Sequence, residues 1–374
     1  MTLFTPITIG GLTLANRIAV SPMCQYSAID GSANDWHLQH LTSLSLSGSG
    51  VVIVEATAVA PEGRITPACL GLYSDANEAA LERVVAACRR WGNTRLGIQL
   101  AHAGRKASAH VPWQGGKPLS AAEGAWRCVA ASPVAFDSGW PAPDGLDEDG
   151  LAGIREAFVK AARRADRLGF DLLELHGAHG YLLHTFLSPI ANRRTDRYGG
   201  SPEARMRFPL EVAAAVRAVW PRGKALGMRI TGSDWIDGGL TSADAALFAA
   251  ALRKAGLDYV CVSSGGISPD ARVTVGPGYQ VPFAETVKRG AGIAVQAVGM
   301  IADPHQAEAI LAEGRADWVA LARAFLDDPR WSWHAADELG ADIACPPQYA
   351  RSRPKLWPGA AIAHPHRTAR PNTA

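Results

Sequence analysis

The chain has 374 residues, 48% hydrophobic and 19% charged, with a formal net charge of +2. That length and apolar fraction suffice for one large core in a single barrel-sized domain, and the near-neutral balance removes the electrostatic case for a nucleic-acid partner. No apolar run reaches the roughly 18 residues that span a bilayer. The cysteines Cys24, Cys69, Cys88, Cys128, Cys261 and Cys345 show no C-x-x-C spacing, and the opening MTLFTPITIGG lacks a charged segment followed by a long apolar one. The expectation is a reduced, cytoplasmic protein with no membrane attachment.

In chain order, TPITIGGLTLANR alternates around Gly10 and Gly11 and predicts a short β-hairpin that plugs a barrel floor. Residues 18–21 form a brief apolar strand, followed by Met23, Cys24 and Tyr26, and residues 37–46 suggest a helix. The run 51–55 is unbroken and apolar up to its terminal acid, the form of a parallel strand covered on both faces, with Ala56 at its exit. Leu81, Val84, Val85 and Cys88 recur at helical spacing and stop at Gly92; strand 96–100 then carries Gln99.

Residues 107–150 are rich in Pro, Gly, Ser and Trp without a sustained period, so one long excursion is expected after the third strand. Ile154, Phe158, Ala161, Ala165 and Leu168 restore a helical stripe, and strand 172–175 follows. Ser201-Pro202-Glu203 starts another helix by cap, proline and acid. Strand 226–230 with Arg229, helix 242–254, strand 259–262, a glycine-rich loop 263–278, strand 293–298, a helix capped at Asp303 and strand 318–321 complete the series. Eight strand-like runs, most followed by helical patterns, predict a closed (β/α)8 TIM barrel of the α/β class rather than an open doubly wound sheet. One domain is expected over 1–350, with a tail over 351–374.

Chemistry is expected in DLLELHGAHGYLLHTFLSP, where the strand opens into a loop holding His176, His179, Tyr181 and His184. Three rings within six residues, beside Gly177 and Gly180, can converge and offer two donors for an oxygen and one phenolic proton. Taken singly, each ring has a plain structural role open to it. His176 and His179 also have ligand-like spacing, but so do His37 and His40, and no acidic third ligand stands nearby. Cys24, Ala56, Gln99, His176, Arg229, Gly299 and Arg323 all fall at strand C-terminal ends, the face on which barrel enzymes build their sites. Gly299 and Arg323 follow strands seven and eight, where such barrels bind phosphate. Neither a P-loop nor a G-x-G-x-x-G fingerprint is present.

The segments SPMCQYS (21–27), GIQLAHAGRKA (97–107), HGAHGYLLHTFLSP and NRRTDRYGGSPEAR, in this order along the chain, resemble the old yellow enzyme family of flavin-dependent ene-reductases. The bacterial thermophilic-type, xenobiotic-reductase-like branch is the nearest match, over about residues 3–351. The resemblance implies tight, non-covalent FMN held by Ser21, Pro22, Met23, Cys24, Ala56, Gln99, Arg229, Gly299, Ala322 and Arg323. It implies NADPH or NADH as hydride donor, and an α,β-unsaturated carbonyl held by His176 and His179 and protonated by Tyr181. Tyr26, Cys24 and Arg351 would touch substrate, Arg351 from a neighbouring copy, so a homodimer or homotetramer is expected with the tail at its interface. No metal, nucleic acid or membrane enters this picture. The family's usual Gly-Arg at the phosphate is here Ala322-Arg323, and Gly177 replaces the commoner alanine between the histidines. The alternatives are a metal-dependent barrel hydrolase using His102, His176 and His179, and a non-catalytic flavin-binding barrel.

Overall fold

The computed structural model describes residues 1–363. Eight parallel strands, Ile18–Val20, Val51–Ala58, Arg95–Ala101, Leu172–Gly177, Ala225–Thr231, Tyr259–Ser263, Ala294–Val298 and Trp318–Leu321, pair in chain order, and the eighth closes on the first. This is the (β/α)8 barrel the alternation predicted. Parallel neighbours cannot be joined by tight turns, so each crossover carries a helix whose apolar stripe covers the outside of the sheet.

The helix Glu148–Arg167 shows how locally this is encoded. Asp147 accepts the Gly150 amide at 2.8 Å, Glu148 and Asp149 face the positive end of the dipole, and Arg164 and Arg167 occupy the last turn. Leu151, Ile154, Phe158, Ala161, Ala162 and Ala165 are its buried face. Truncating Phe158, which is fully buried, to alanine costs about 3–5 kcal/mol of such packing.

The hairpin Ile7–Ile9 and Leu12–Leu14 is antiparallel, and Ile9, Leu12 and Leu14 pack with Val51, Ile53, Leu172, Ala225, Tyr259 and Trp318 inside the barrel. It closes the floor, leaving the C-terminal strand ends as the mouth.

Three local expectations are corrected. The second strand runs on to Ala58, so Ala56 lies within it, beside a register shift between Val54 and Ala56. The fourth strand runs to Gly177, which puts His176 on the sheet rather than in a loop. A helix, Val281–Ala291, occupies a stretch where none was read; its N-cap Gln280 makes no side-chain capping bond, so the usual start signal is missing. The long excursion after the third strand is irregular as expected, with 3-10 turns Pro112–Gln114 and Ala121–Glu123 and a two-stranded pair, Val129–Ala130 with Asp144–Gly145.

After the helix Trp331–Leu339 the chain turns to the floor end of the barrel. There the Asn93 side chain donates to the Ala344 carbonyl at 3.1 Å, and Trp333 and Ile343 crowd Gly48. Residues 364–374 of the expected tail lie outside the described residues. Among the described residues no helix is long and apolar enough to cross a membrane.

Candidate active site

Below the mouth, the barrel interior holds a fully buried acid. Glu174, on the fourth strand, accepts from Gln99 Nε2 at 2.7 Å and from the Tyr259 hydroxyl at 3.1 Å, and its carboxylate lies 3.5 Å from Arg229 Nε. Arg229 in turn donates to Ser21 Oγ at 2.9 Å. Strand pairing sets this up: Gln99 is in register with Glu174, and His176 with Arg229. A buried guanidinium needs a counter-charge, and Glu174 supplies it while aiming Gln99 and Arg229.

Above this layer stand the two histidines. Their ring centroids are 5.0 Å apart, and the Tyr181 ring is 4.9 Å from that of His176, nearly perpendicular to it. The backbone that brings them together is strained and braced. His179 has φ +58° and Gly180 φ +76°, and a Cβ on residue 180 would lie 2.1 Å from the Gly266 carbonyl oxygen, so only glycine fits. Lys106 Nζ donates to the carbonyls of His179 at 3.0 Å and Gly266 at 3.1 Å, tying the histidine turn to the loop after strand six. Burial, then the neighbouring Arg105, brings the Lys106 amine down to about 8.

The hydrogen-bond chain fixes both tautomers. The Ala178 amide donates to His176 Nδ1 at 3.2 Å, so His176 carries its proton on Nε2. That Nε2 faces His179 Nδ1 at 3.2 Å, which therefore accepts, and His179 Nε2–H donates to Ser263 Oγ at 2.7 Å. Ser263 passes its own proton to Gln280 Oε1 at 3.2 Å, and Gln280 Nε2 donates to the Val298 carbonyl at 2.9 Å. Burial first, then nearby charges including Arg229 and Lys106, hold both imidazoles well below their ordinary value, so both are neutral. The pair as it stands offers one donor and one acceptor. The expectation of two donors is corrected to that extent.

Tyr181 keeps its phenolic proton, since burial raises its pKa well above the usual value. Tyr26, with φ +49°, is met edge-on by the exposed Trp113 of the excursion at 5.8 Å. Cys24 is half-buried and stays a thiol; burial, then the Glu55 charge, raises it.

After strand seven the backbone takes two consecutive positive φ values. Gly299 has φ +118° and Met300 φ +47°; a Cβ on residue 299 would come within 2.5 Å of Gln280 Nε2. Consecutive residues of this kind leave amides free for an anion, and the exposed Arg323 next to Ala322 has no carboxylate partner among the described residues. A phosphate-bearing group fits such a cradle, and a polar ring system fits the Gln99 and Arg229 layer beneath it.

Thus the structure brings His176, His179 and Tyr181 into mutual contact and joins Ser21, Gln99 and Arg229 through Glu174. Arg351 is exposed on the 3-10 turn Pro347–Ser352, in the segment that follows the floor contacts, and does not join these residues. His184 turns away: its Nδ1 accepts the Gly180 amide at 2.8 Å and its Nε2 lies 3.0 Å from Asp234. Among the described residues no three His, Cys, Asp or Glu side chains are grouped to hold a metal. Sequence reasoning missed Glu174, Lys106, Ser263 and Gln280. An acid inside an otherwise apolar strand was the available signal for Glu174; Gln280 and the serines carry none.

Fold and mouth together define a barrel enzyme built around a phosphate-bearing, ring-containing cofactor. Residues 2–341 match the NADH:flavin oxidoreductase / NADH oxidase family. NADPH dehydrogenase from Geobacillus sp. (strain WCH70) is 45% identical, covering 93% of this chain and 98% of that protein. NADPH dehydrogenase from Bacillus subtilis (strain 168) is 43% identical with the same coverages. The solved structure of morphinone reductase in complex with tetrahydroNAD is 31% identical with a TM-score of 0.74 and covers 93% of each chain. The chain belongs to this family, the old yellow enzymes, and is an NAD(P)H-dependent FMN oxidoreductase. That sets aside the metal hydrolase and the non-catalytic barrel.

Proposed function

We propose that the enzyme reduces the C=C bond of α,β-unsaturated carbonyl compounds in a ping-pong cycle, NADPH or NADH binding first and leaving before the enone binds. Bound FMN, once reduced, supplies the hydride. Ser21, Pro22, Met23, Cys24, Ala56, Gln99, Arg229, Gly299, Ala322 and Arg323 hold it, Gln99 and Arg229 on the polar side of the ring and Gly299, Ala322 and Arg323 at the phosphate. Arg229, paired with Glu174, places a fixed positive charge where negative charge accumulates on reduction.

His176 and His179 hold the carbonyl oxygen. Neutral N–H donors aimed at that oxygen stabilise the enolate-like charge that develops as hydride reaches the β-carbon. Tyr181 Oη holds the proton that the α-carbon then takes. Tyr26 and Cys24 line the substrate side. Arg351 reaches the mouth of a neighbouring copy in a homodimer or homotetramer, which accords with its exposure beyond the floor contacts of its own barrel.

The observation that carries this reading is the contact of two neutral imidazoles with a proton-bearing tyrosine at one strand end. Anaerobic titration of the yellow holoenzyme with NADPH tests it. Bleaching should follow one equivalent of NADPH, and colour should return on adding cyclohexenone without oxygen. A reduced enzyme that cyclohexenone does not reoxidise refutes the substrate class.

A further inference from the structure

A carbonyl oxygen has lone pairs and no proton, so gripping it with both rings requires a donor on each. His176 Nε2 is one. His179 Nδ1 is bare in this structure, because its ring proton sits on Nε2 and is given to Ser263 at 2.7 Å. For His179 to donate from Nδ1, its Nε2 must become the acceptor, and something behind the ring must turn a proton toward it. Ser263 is the group in contact there. A hydroxyl can accept in one state and donate in the other, which a backbone carbonyl or amide could not do.

What Ser263 must release to turn over is its bond to Gln280 Oε1 at 3.2 Å. That oxygen is buried, and orphaning it would oppose the change. It is not orphaned. Ser264 Oγ donates to the same oxygen at 2.6 Å, and the amide cannot rotate to other partners because its Nε2 is committed to the Val298 carbonyl. The two adjacent serines therefore have distinct tasks: Ser264 keeps Gln280 satisfied, and Ser263 is free to face either way.

We propose that Ser263 is a positioning residue that sets the tautomer of His179: it accepts from Nε2 in the free enzyme and donates to Nε2 when a carbonyl is bound, with Ser264 holding Gln280 throughout. The ring stays neutral. One proton leaves Nε2 and one arrives at Nδ1, exchanged with solvent water. His176 does not change, since the Ala178 amide keeps its Nδ1 as acceptor in both states. The inference rests on the reading that the histidine pair holds the carbonyl.

Ring ¹⁵N shifts of histidine-labelled, oxidised holoenzyme test it, with His179 assigned by comparison with a His179→Asn protein and no NADPH present. Free enzyme should show His179 protonated on Nε2, and saturating cyclohexenone should move the proton to Nδ1. In Ser264→Ala, Ser263 becomes the sole hydroxyl donor to Gln280, so cyclohexenone should bind about fivefold more weakly, the worth of one neutral buried hydrogen bond. Gln280→Met removes the acceptor that competes for the Ser263 proton and should bind cyclohexenone more tightly, while its free His179 stays protonated on Nε2 because His176 Nε2–H still faces Nδ1. A tightening is not what damage produces. Ser263→Thr, which keeps the hydroxyl, should match the wild type and, with Ser264→Ala, carries the comparison should Gln280→Met lose its flavin. The proposal is overturned if free wild-type His179 is already protonated on Nδ1, or if Ser264→Ala leaves cyclohexenone affinity unchanged. If cyclohexenone perturbs neither ring, the carbonyl reading falls, while a shifted His179 Nε2 signal in cyclohexenone-free Ser263→Ala, or none, still decides whether the Ser263 hydroxyl holds that proton.

Discussion

Glu174→Gln removes one charge from the middle of the barrel and little volume, and its consequence can be worked out contact by contact. The carboxylate is fully buried, accepts at 2.7 Å from Gln99 and at 3.1 Å from Tyr259, and faces Arg229 at 3.5 Å. A glutamine there keeps one acceptor for Gln99 but presents N–H groups where the second oxygen stood, so Tyr259 must turn its hydroxyl from donor to acceptor and exchange a charge-assisted bond for a neutral one, about 1 kcal/mol. The larger part is Arg229, left buried without a full counter-charge; breaking such a pair costs about 3–5 kcal/mol, reduced here because the 3.5 Å contact is not a close bidentate one and Ser21 still accepts. The expected destabilisation is about 3 kcal/mol, read as a fall in urea resistance of the flavin-free protein, with a smaller fall in the flavin-loaded enzyme. A double-mutant cycle isolates the cause: adding Arg229→Met to Glu174→Gln removes the uncompensated cation and should recover part of the loss, so the two changes are less than additive. A Glu174→Gln protein within about 1 kcal/mol of wild type, or a double variant that loses the full sum, would refute the assignment of Glu174 as the charge that holds Arg229.

Tyr181→Phe should retain flavin but lower the rate of enone-driven reoxidation by about a hundredfold or more, the usual worth of a positioned general acid; stopped-flow reoxidation by cyclohexenone measures it. Gly299→Ala forces a side chain onto φ +118° and into Gln280, so flavin should be retained poorly through dialysis, as absorbance per protein will show. Acid stability has a defined sign. Burial lowers His102 from 6.5 to about 4, so below pH 6.5 the unfolded chain takes up a proton that the folded protein refuses. Stability should be flat above pH 6.5, fall as pH drops from 6.5 toward 4 by up to about 3 kcal/mol from this residue, and level off below. His102→Gln, scanned by thermal melting across that range, should have a shallower acid slope, and an unchanged slope would remove His102 as a cause.

The barrel was legible because its code is periodic. Apolar runs of strand length alternate with stripes such as Leu81, Val84, Val85 and Cys88, and these are repeated often enough that losing the helix Val281–Ala291 did not disturb the count. Boundaries were less legible at strand ends. Glu55 and His176 read as exits from apolar runs, yet both sit inside strands, because each finds a backbone donor at the strand end, the Gln25 amide for Glu55 and the Ala178 amide for His176. His176, His179 and Tyr181 stood out by clustering in sequence. Their supports did not, because Lys106 comes from the crossover after the third strand, and Ser263 and Gln280 from the end of the sixth strand and the crossover after it, and they meet the histidine turn only once the barrel closes. Composition cannot show that convergence: a lysine beside Arg105 and two serines after an apolar strand are ordinary surface and loop residues until their partners are known. The tautomer of His179 belongs to the same level. It follows from the Ala178 amide, which leaves His176 Nε2–H facing His179 Nδ1, so the proton inventory of the candidate site is set by the backbone of the histidine turn as much as by the histidines themselves.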